Sequence, residues 1–219
     1  MSNKKVIILG ASGLIGSELL TILLHSDAYS EVTAFLRKPL TVQHPKLKQE
    51  ITSFDDLEEL KTKIKADVIF CCLGSTKKKT PNLKDYKKVD HDIPLFFAKE
   101  GLTNHLLQFH LVSALGAKAN SSNFYTHLKG EIEQDLKMLA IPSLFIYQPS
   151  FLDGDRKEKR PLEKVMLGLM KLINPLLVGS LKKYQSIKAK DIAKVMFNES
   201  IQNKSGIFVF KSDKIKELT

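Results

Sequence analysis

A glycine-rich turn near the start of the chain is the feature that most restricts its fold. Residues 4–10, KKVIILG, form a short β-branched apolar run, and residues 14–26, LIGSELLTILLHS, place apolar side chains at helical spacing. Between them, GASGLIG carries Gly10, Gly13 and Gly16. A strand, a tight turn and a helix in this order open a βαβ unit. Glycines, which have no Cβ, let a pyrophosphate approach the free N–H groups at the helix start.

The glycines follow the spacing G-x-x-G-x-x-G, whereas the generic dinucleotide fingerprint is G-x-G-x-x-G. The position of the turn between a strand and a helix nevertheless supports the same function. We therefore predict a dinucleotide site formed by the three glycines together with Ser12, Leu14 and Ile15. The alternative is that the glycines only allow the helix to pack closely.

Near-continuous apolar runs alternate with helical patterns along the rest of the chain. The runs are residues 31–37, 66–74, 106–114, 141–150 and 206–210, and the helical segments are residues 55–64, 93–102, 127–139 and 188–200. Strands that are apolar on both faces are typical of a parallel sheet covered by helices on each side. The pattern predicts one domain over residues 1–219, an α/β fold with a doubly wound parallel sheet of the Rossmann type.

Residues 151–186 interrupt this alternation and are predicted to form a small substrate lobe or lid. A charged stretch is followed by an apolar segment, residues 164–183, which Pro175 and Gly179 divide. This segment can line a substrate pocket, form the surface of a homodimer, or lie on a membrane as an interfacial helix. The two helix breakers favour pocket and core. The chain lacks the ~18 uninterrupted apolar residues of a membrane span, so we expect no stable membrane insertion.

Positive charge is in excess, with 34 basic against 24 acidic side chains and a formal charge of +10. The basic side chains are almost all lysines spread along the chain, with arginine only at positions 37, 156 and 160. Proteins that read nucleic acids rely on arginine for bidentate contacts and carry recognisable motifs, so this composition disfavours a nucleic-acid partner. Local positive charge is enough for an anionic cofactor or substrate.

The two cysteines, Cys71 and Cys72, are adjacent in the chain. They cannot form an ordinary disulfide framework, and no spaced partners indicate a metal site. We therefore expect a reducing, cytoplasmic setting and no bound metal. Both side chains are predicted to pack as small apolar groups and not to act as nucleophiles.

The end of the second apolar run bears on the choice between NAD and NADP. In NAD-selective sites an acidic residue about 20 positions after the glycines binds the ribose 2′-hydroxyl. Here Arg37 follows Gly16 by 21 positions and Lys38 comes next. A guanidinium suits the additional 2′-phosphate of NADP, which predicts a preference for NADPH over NADH. The alternative is a solvated basic loop.

The run at residues 66–74 leads into CCLGST, which places Leu73, Gly74 and Ser75 at the carboxyl edge of the predicted sheet. Ligands of open α/β folds bind at this edge. We predict that these three residues contact the cofactor through their backbone.

Ser113, Tyr125 and Lys129 follow one another at and after the next strand end. Residues four apart lie on one face of a helix, so the Tyr125 phenol and the Lys129 ammonium can address the same ligand. A free tyrosine, with a pKa near 10, is a poor acid or base at neutral pH, and a neighbouring cation lowers that pKa. Lys129 can also donate to the cofactor ribose. For an isolated Y-x-x-x-K pattern, an exposed helix face would be the better interpretation.

These residues and motifs resemble the short-chain dehydrogenase/reductase superfamily, and within it the atypical members similar to the Tat-interacting oxidoreductase-like proteins. The resemblance rests on GASGLIG, LR at 36–37, VDHD at 89–92, LVSALGA and SSNFYTHLKGEIE, and it covers about the first 155 residues. It implies that Tyr125 is the general acid–base group, that Lys129 binds ribose and tunes the tyrosine, and that Ser113 orients the substrate carbonyl.

Other implications of the resemblance concern the region around this triad. Many family members have an asparagine before the fifth strand that supports a proton relay, whereas this chain offers Asp90. Pro149, together with Ser150 and Phe151, resembles the family segment beside the nicotinamide amide. Related folds include members that bind NADPH without turnover.

Two functions follow from these observations. The first is an NADPH-dependent oxidoreductase that reduces a small carbonyl compound, with Tyr125 protonating the oxygen and with Ser113 and Lys129 assisting. The second is a non-catalytic NADPH-binding regulatory protein, or sensor, that acts through a protein partner.

Overall fold

The structure, a computed structural model, describes residues 4–76, 78, 80–153 and 179–219. Most of the predicted lobe at residues 151–186 and most of the apolar segment at 164–183 lie outside the described residues. Nine strands occur in the described part: β1 (Lys5–Leu9), β2 (Glu31–Leu36), β3 (Leu47–Ile51), β4 (Val68–Cys71), β5 (Gln108–Val112), β6 (Ser143–Gln148), β7 (Leu152–Asp153), β8 (Ile187–Lys188) and β9 (Gly206–Lys211).

The described helices are α1 (Leu14–His25), α2 (Leu83–Lys87), α3 (Ile93–Thr103), α4 (Phe124–Met138), α5 (Ala189–Ser200) and α6 (Ser212–Glu217). Two 3-10 helices span Glu58–Lys63 and Gly179–Tyr184. One π-helical turn, Lys88–Asp92, joins α2 to α3. In the described part, a helix lies between β1 and β2, between β4 and β5, between β5 and β6, and between β8 and β9.

Seven strands form one sheet in the order β3-β2-β1-β4-β5-β6-β9, and every neighbouring pair is parallel. The order changes direction between β1 and β4, where the chain crosses from one half of the sheet to the other. In open α/β sheets a crevice forms at this point, beyond the carboxyl ends of the strands. The predicted doubly wound parallel fold is confirmed.

Apolar side chains fill both faces of the sheet. One layer packs α1 and α5 against the sheet around Leu19, Phe145 and Ile192. The other packs α3 and α4 against it around Phe97 and Ile132. The four residues of β4 and the five of β5 are all buried, as expected for central parallel strands with helices on both sides. This double burial explains why these strands stand out as unbroken apolar runs.

Two parts of the predicted element pattern were wrong. The strand β3, LKQEI, was missed because it lies at the sheet edge with every residue at least partly exposed, so it lacks an apolar run. Residues 55–64 were predicted as a helix, but only Glu58–Lys63 turns, as a 3-10 helix with Leu60 its one buried residue. One buried side chain offers too little apolar burial to support a longer helix.

A second, two-stranded sheet forms where the chain enters and leaves the undescribed interval. Leu152 pairs with Ile187 and Asp153 with Lys188, in parallel. None of the helices in the described part of the chain combines the length and the apolar character needed to cross a membrane.

Candidate functional site

The glycine turn after β1 is shaped by two close backbone approaches. Gly10 has a φ of +79°, and a Cβ on it would lie 2.6 Å from the carbonyl oxygen of Cys72. A Cβ on Gly16 would lie only 2.1 Å from the carbonyl oxygen of Gly10. Gly10 adopts a left-handed backbone conformation, and Gly16 packs directly against the backbone of Gly10. Together they allow the start of α1 to lie against the turn.

The start of α1 has the features of an anion site. Its N-cap residue, Gly13, has no side chain to cap the helix, and the first turn carries no acidic residue. The first N–H groups of a helix and its dipole favour negative charge. Ser12, Gly13, Leu14 and Ile15 line a large pocket at this point, so the predicted turn faces a cavity that can hold a phosphate group.

Ser75, beyond the end of β4, is held within the protein. Its N–H donates to Asp90 Oδ2 at 2.8 Å, and its carbonyl oxygen accepts a 2.9 Å hydrogen bond from the Tyr86 hydroxyl. Leu73, Gly74 and Ser75 all line the pocket, and their contact with the cofactor stays a prediction. The Ser75 N–H already has an acceptor in Asp90, and the Leu73 backbone is hydrogen-bonded to the Cys71 thiol, so Gly74 offers the more available backbone on this wall.

Asp90 and Lys129 form a buried ion pair beneath the pocket. The π-helical turn directs Asp90 inward, where it is fully buried, and its Oδ1 lies 2.9 Å from Lys129 Nζ. The same ammonium donates to the carbonyl oxygen of Val112 at 3.4 Å. Burial alone lowers the pKa of Lys129, but the Asp90 carboxylate and the Tyr125 phenol more than offset this and raise it above its usual range. Lys129 is therefore a permanent cation at physiological pH.

Ser113 lies just beyond β5 and is bound to a buried carboxylate. Its hydroxyl donates to Glu133 Oε1 at 2.5 Å, and Glu133 also accepts from Gln148 Nε2 at 2.9 and 3.0 Å. All three residues are at least 92% buried. In this arrangement the Ser113 proton points to Glu133, and its lone pairs are left for the pocket.

Tyr125 lies in the first turn of α4, where Asn123 caps the helix by accepting from the backbone N–H of Tyr125 at 3.0 Å. Its side chain lines the pocket and is 39% exposed. Nearby Tyr86 is buried, and burial, Asp90 and Tyr125 together raise its pKa above the usual range. Tyr86 therefore stays protonated, and Tyr125 is the phenol in this cluster that solvent and a ligand can reach.

One pocket, with a volume of about 1690 Å³, joins these groups. Its lining includes Ser113, Tyr125 and Lys129 as well as the glycine turn, with Pro149, Ser150 and Phe151 on the opposite side of the triad. A cavity for a drug-sized ligand is ~300–1,000 Å³, so this pocket has room for a dinucleotide and a second small molecule. The triad and the turn, which are distant in sequence, therefore face one space.

Four of the predicted cofactor residues do not line this pocket: Gly10, Gly16, Arg37 and Lys38. The two glycines shape the turn from behind. Arg37 and Lys38 are exposed at the end of β2, and the pocket wall continues from Pro39 to Val42.

Sequence reasoning missed Glu133, Gln148 and Tyr86. One signal was present, since Glu133 follows Lys129 by four residues and so shares its helix face. Gln148 lies at the end of β6, where it was hidden in an apolar run. The pairing of Tyr86 with Ser75 depends on the fold and has no local signal.

The cysteines are packed as predicted. Cys71 is buried, and burial raises the pKa of its thiol to about 11. Burial and Cys71 likewise raise the pKa of Cys72 above the usual range. Among the described residues, no group of three or more His, Cys, Asp and Glu side chains could hold a metal ion.

Known proteins match this chain over a nucleotide-binding domain and over most of its length. Residues 5–88 match the model of the semialdehyde dehydrogenase NAD-binding domain. The chain is 36% identical over 167 residues to Protein HTATIP2 of Rattus norvegicus, covering 74% of this chain and 69% of that one. It is 27% identical over 217 residues to the protein fmp52, mitochondrial, of Aspergillus niger, covering 96% of this chain and 92% of that one.

Solved structures share the fold. A UDP-N-acetylglucosamine 4-epimerase from Methanobrevibacter ruminantium aligns with a TM-score of 0.71 at 19% identity, covering 96% of this chain and 77% of that one. The enzyme WbmH of Bordetella bronchiseptica in complex with NAD+ aligns with a TM-score of 0.70 at 17% identity, covering 98% and 78%. The oxidoreductase ylbE of Lactococcus lactis aligns with a TM-score of 0.64 at 20% identity, covering 98% and 94%.

Proposed function

The chain belongs to the atypical short-chain dehydrogenase/reductase family that includes Protein HTATIP2 and the FMP52 proteins, and we propose that it is an NADPH-dependent reductase of a small carbonyl compound. One observation carries this proposal: Ser113, Tyr125 and Lys129 line the same pocket as the glycine turn. An acid–base group beside a dinucleotide site is the arrangement that carbonyl reduction requires.

The residues that would hold the cofactor fit its chemistry. The uncapped start of α1 suits the pyrophosphate, and Leu73, Gly74 and Pro149 line the path from there to the triad. A Cβ on Gly16 would collide with Gly10. Glycine at this position therefore lets the start of α1 lie close to the turn and to a phosphate bound there.

Selectivity for NADPH is proposed to rest on Arg37 and Lys38. Arg37 directly follows β2, next to the strand that carries the glycine turn, and both cations are exposed. Residues 37–46, which follow β2, contain no aspartate or glutamate that could bind a ribose 2′-hydroxyl. A charge-assisted hydrogen bond of ~1.5–3 kcal/mol corresponds to roughly a tenfold to hundredfold preference for the 2′-phosphate. Arg37→Asp should remove that preference in a calorimetric titration with NADPH and NADH.

NADPH held at this site would provide the hydride for the carbonyl carbon, and the side chains of the protein provide the proton. Tyr125 gives its phenolic proton to the carbonyl oxygen, which yields an alcohol, and the tyrosine regains a proton from solvent through its exposed side. The permanent charge of Lys129 stabilises the phenolate left behind. Asp90 fixes that ammonium in place.

Ser113 must turn before it can donate to a substrate oxygen, because its single proton is directed to Glu133. Glu133 remains bonded to Gln148 when Ser113 leaves, and Lys137 Nζ lies 3.5 Å from its other oxygen. The carboxylate therefore keeps hydrogen-bond and ionic partners after Ser113 turns away.

The second candidate function is a sensor that binds NADPH without turnover and signals through a protein partner. This candidate is favoured because two of the three triad side chains are already engaged within the protein: Ser113 donates to Glu133, and Lys129 is paired with Asp90. A site that never works on a substrate could keep both pairs permanently.

A panel of aldehydes, ketones and quinones, assayed by NADPH oxidation, separates the two functions. We expect turnover with some members and its loss in Tyr125→Phe, while NADPH binding is kept. Tyr184→Phe is the matched control, since it removes the same phenolic oxygen from another wall of the pocket. Tight NADPH binding with no oxidation across the panel would instead support the sensor.

The cytoplasmic location and the homodimer are also proposals. The adjacent cysteines support a reducing compartment, whereas several FMP52 relatives carry the word mitochondrial in their names. Cell fractionation would decide the first point, and sedimentation of the pure protein would decide the second.

A further inference from the structure

The charges that line the pocket are all of one sign. Among the described residues of its wall, the charged ones are Lys129, Lys183 and Lys211, and none is acidic. Lys129 is paired with Asp90. Lys183 and Lys211 form no ion pair with a described carboxylate; Lys183 Nζ instead lies over the Tyr184 ring, 5.2 Å from its centre. Two lysines that have no acidic partner among the described residues therefore line the pocket.

Lys211 lies at a distance from the triad that matches a small substrate. The register runs from Val112 to Tyr147 and on to Phe210, so Ser113, Gln148 and Lys211 follow in one row across the sheet edge. Neighbouring strands are ~4.8 Å apart, which puts the start of the Lys211 side chain about 10 Å from that of Ser113.

The same geometry separates Lys211 from the glycine turn. Four strand spacings lie between β1 and β9 in the sheet order, or about 19 Å. The start of α1 is the anion site for the cofactor pyrophosphate, and Lys211 is too far away to serve the same group. Its charge is therefore available to a second ligand beyond the triad.

Two half-exposed aromatic side chains line the same pocket, and one of them, Tyr184, lies beneath the ammonium of Lys183. Phe151 is 49% exposed and Tyr184 is 44% exposed, and both line the pocket. Half-exposed aromatic rings next to a cation are suited to a ligand with an apolar or planar body and an anionic end.

Hydrogen bonds hold this end of the pocket together. Phe151 accepts at its carbonyl oxygen from the N–H of Ile187 at 2.9 Å, next to the pairing of β7 with β8. The N–H of Ser150 donates to the Ser212 hydroxyl at 2.8 Å, which fixes the residue after Lys211. The Ser150 hydroxyl donates to the carbonyl oxygen of Gln185. These bonds join the three segments that carry Phe151, Tyr184 and Lys211.

We propose that the substrate is a carbonyl compound with an apolar body and an anionic group, a carboxylate or a phosphate, which Lys211 and Lys183 bind while the carbonyl lies at Tyr125. This substrate class rests on the proposed reductase function. The anion site itself can be tested without any turnover.

Calorimetry on the NADP⁺-loaded protein tests the anion site with ligands that cannot be reduced. Benzoate and phenyl phosphate are compared with benzamide, which has the same ring and no charge. We expect at least one anion to bind, and to bind about tenfold more weakly to Lys211→Ala and to Lys183→Ala. Lys182→Ala is the matched control, because Lys182 is the adjacent exposed lysine and does not line the pocket. The preferred anion identifies carboxylate or phosphate.

Equal binding of benzamide and both anions, or anion binding that neither pocket variant weakens, would overturn the proposal. So would a tenfold loss of NADPH affinity in Lys211→Ala with anion binding unchanged, since the lysine would then serve the cofactor.

Turnover is measured separately with phenylglyoxylate and its methyl ester. Lysine-dependent anion binding without reduction of either compound or of the carbonyl panel would leave the anion site standing and refute the reductase. Reduction without lysine-dependent anion binding would refute only the substrate class.

Discussion

Asp90→Asn removes one charge of the buried ion pair beneath the pocket and keeps the size of the side chain. In the wild type the two charged atoms are 2.9 Å apart, Asp90 is fully buried and Lys129 is 3% exposed. The variant leaves the nearly buried ammonium of Lys129 without its carboxylate. The asparagine oxygen can still accept from the Ser75 N–H, so the change is confined to charge.

The expected cost follows from burial. Breaking a buried pair by removing one partner costs about 3–5 kcal/mol. The loss of stability has an upper limit, because Lys129 can lose its proton and become neutral. From its ordinary pKa of 10.5, deprotonation at pH 7 costs about 5 kcal/mol, at ~1.36 kcal/mol per pKa unit. The two figures agree, so we expect the free energy of unfolding at pH 7 to fall by about 3–5 kcal/mol.

Urea denaturation between pH 7 and pH 10 measures this cost and its pH dependence. In the wild type the raised pKa of Lys129 keeps the contribution of the pair fully present below about 10.5. In the variant, burial without a partner lowers the pKa of Lys129 below its unfolded value, so stability should recover as pH rises towards 10.5. The difference between the two proteins should therefore shrink with increasing pH.

Asp55→Asn is the matched control. Asp55 pairs with Lys88 at 3.0 Å, nearly the same distance, but its side chain is 81% exposed. We expect no resolvable change in its denaturation midpoint. The double variant Asp90→Asn/Lys129→Met removes both charges and should regain part of the lost stability. Wild-type stability in Asp90→Asn, or a loss independent of pH, would refute the reasoning.

Three further predictions concern other parts of the fold. Burial lowers the pKa of His110 well below 6.5, so stability should fall by up to ~1.4 kcal/mol per pH unit below pH 6.5, and less steeply in His110→Phe, which denaturation at several pH values would show. Because the pKa of Cys71 is about 11 against an ordinary 9.0, its thiolate at pH 8 should be about 100-fold scarcer, and alkylation should be fast only after unfolding. Gly16→Ala should lower the melting temperature and weaken NADPH binding, whereas Gly74→Ala, where a Cβ meets only an ordinary 3.9 Å contact, should keep the melting temperature.

The parts of the fold that could be predicted are those in which one local pattern determines the structure. The central strands are buried on both faces and so appear as unbroken apolar runs, and the glycine turn needs residues without Cβ at fixed spacing. The edge strand β3 was not predicted, because its partly exposed position allows a mixture of polar and apolar residues instead of an apolar run. The 3-10 turn at Glu58–Lys63 has a helical pattern and only one buried side chain.

The candidate site could be predicted only in part, for a similar reason. Tyr125 and Lys129 are four residues apart, so helix geometry alone brings them together. The partners that control the triad come from elsewhere: Asp90 reaches Lys129 from the π-helical turn, and Gln148 reaches Glu133 from β6. Such pairs depend on tertiary packing and leave no local pattern. The same is true of Lys183 and Lys211, which share a wall only in the folded chain.

Transfer of deuterium from NADPH labelled at the nicotinamide C4 position is the measurement that tests the central claim most directly. The purified protein is mixed with labelled NADPH and a set of carbonyl compounds, and deuterium incorporation into the products is measured by mass spectrometry. We predict a deuterated alcohol with the wild type, none with Tyr125→Phe, and equal NADPH binding by both. Labelled product at the same rate from Tyr125→Phe, or no labelled product from a wild type that binds NADPH, would contradict the assignment of Tyr125 as the acid of a working reductase.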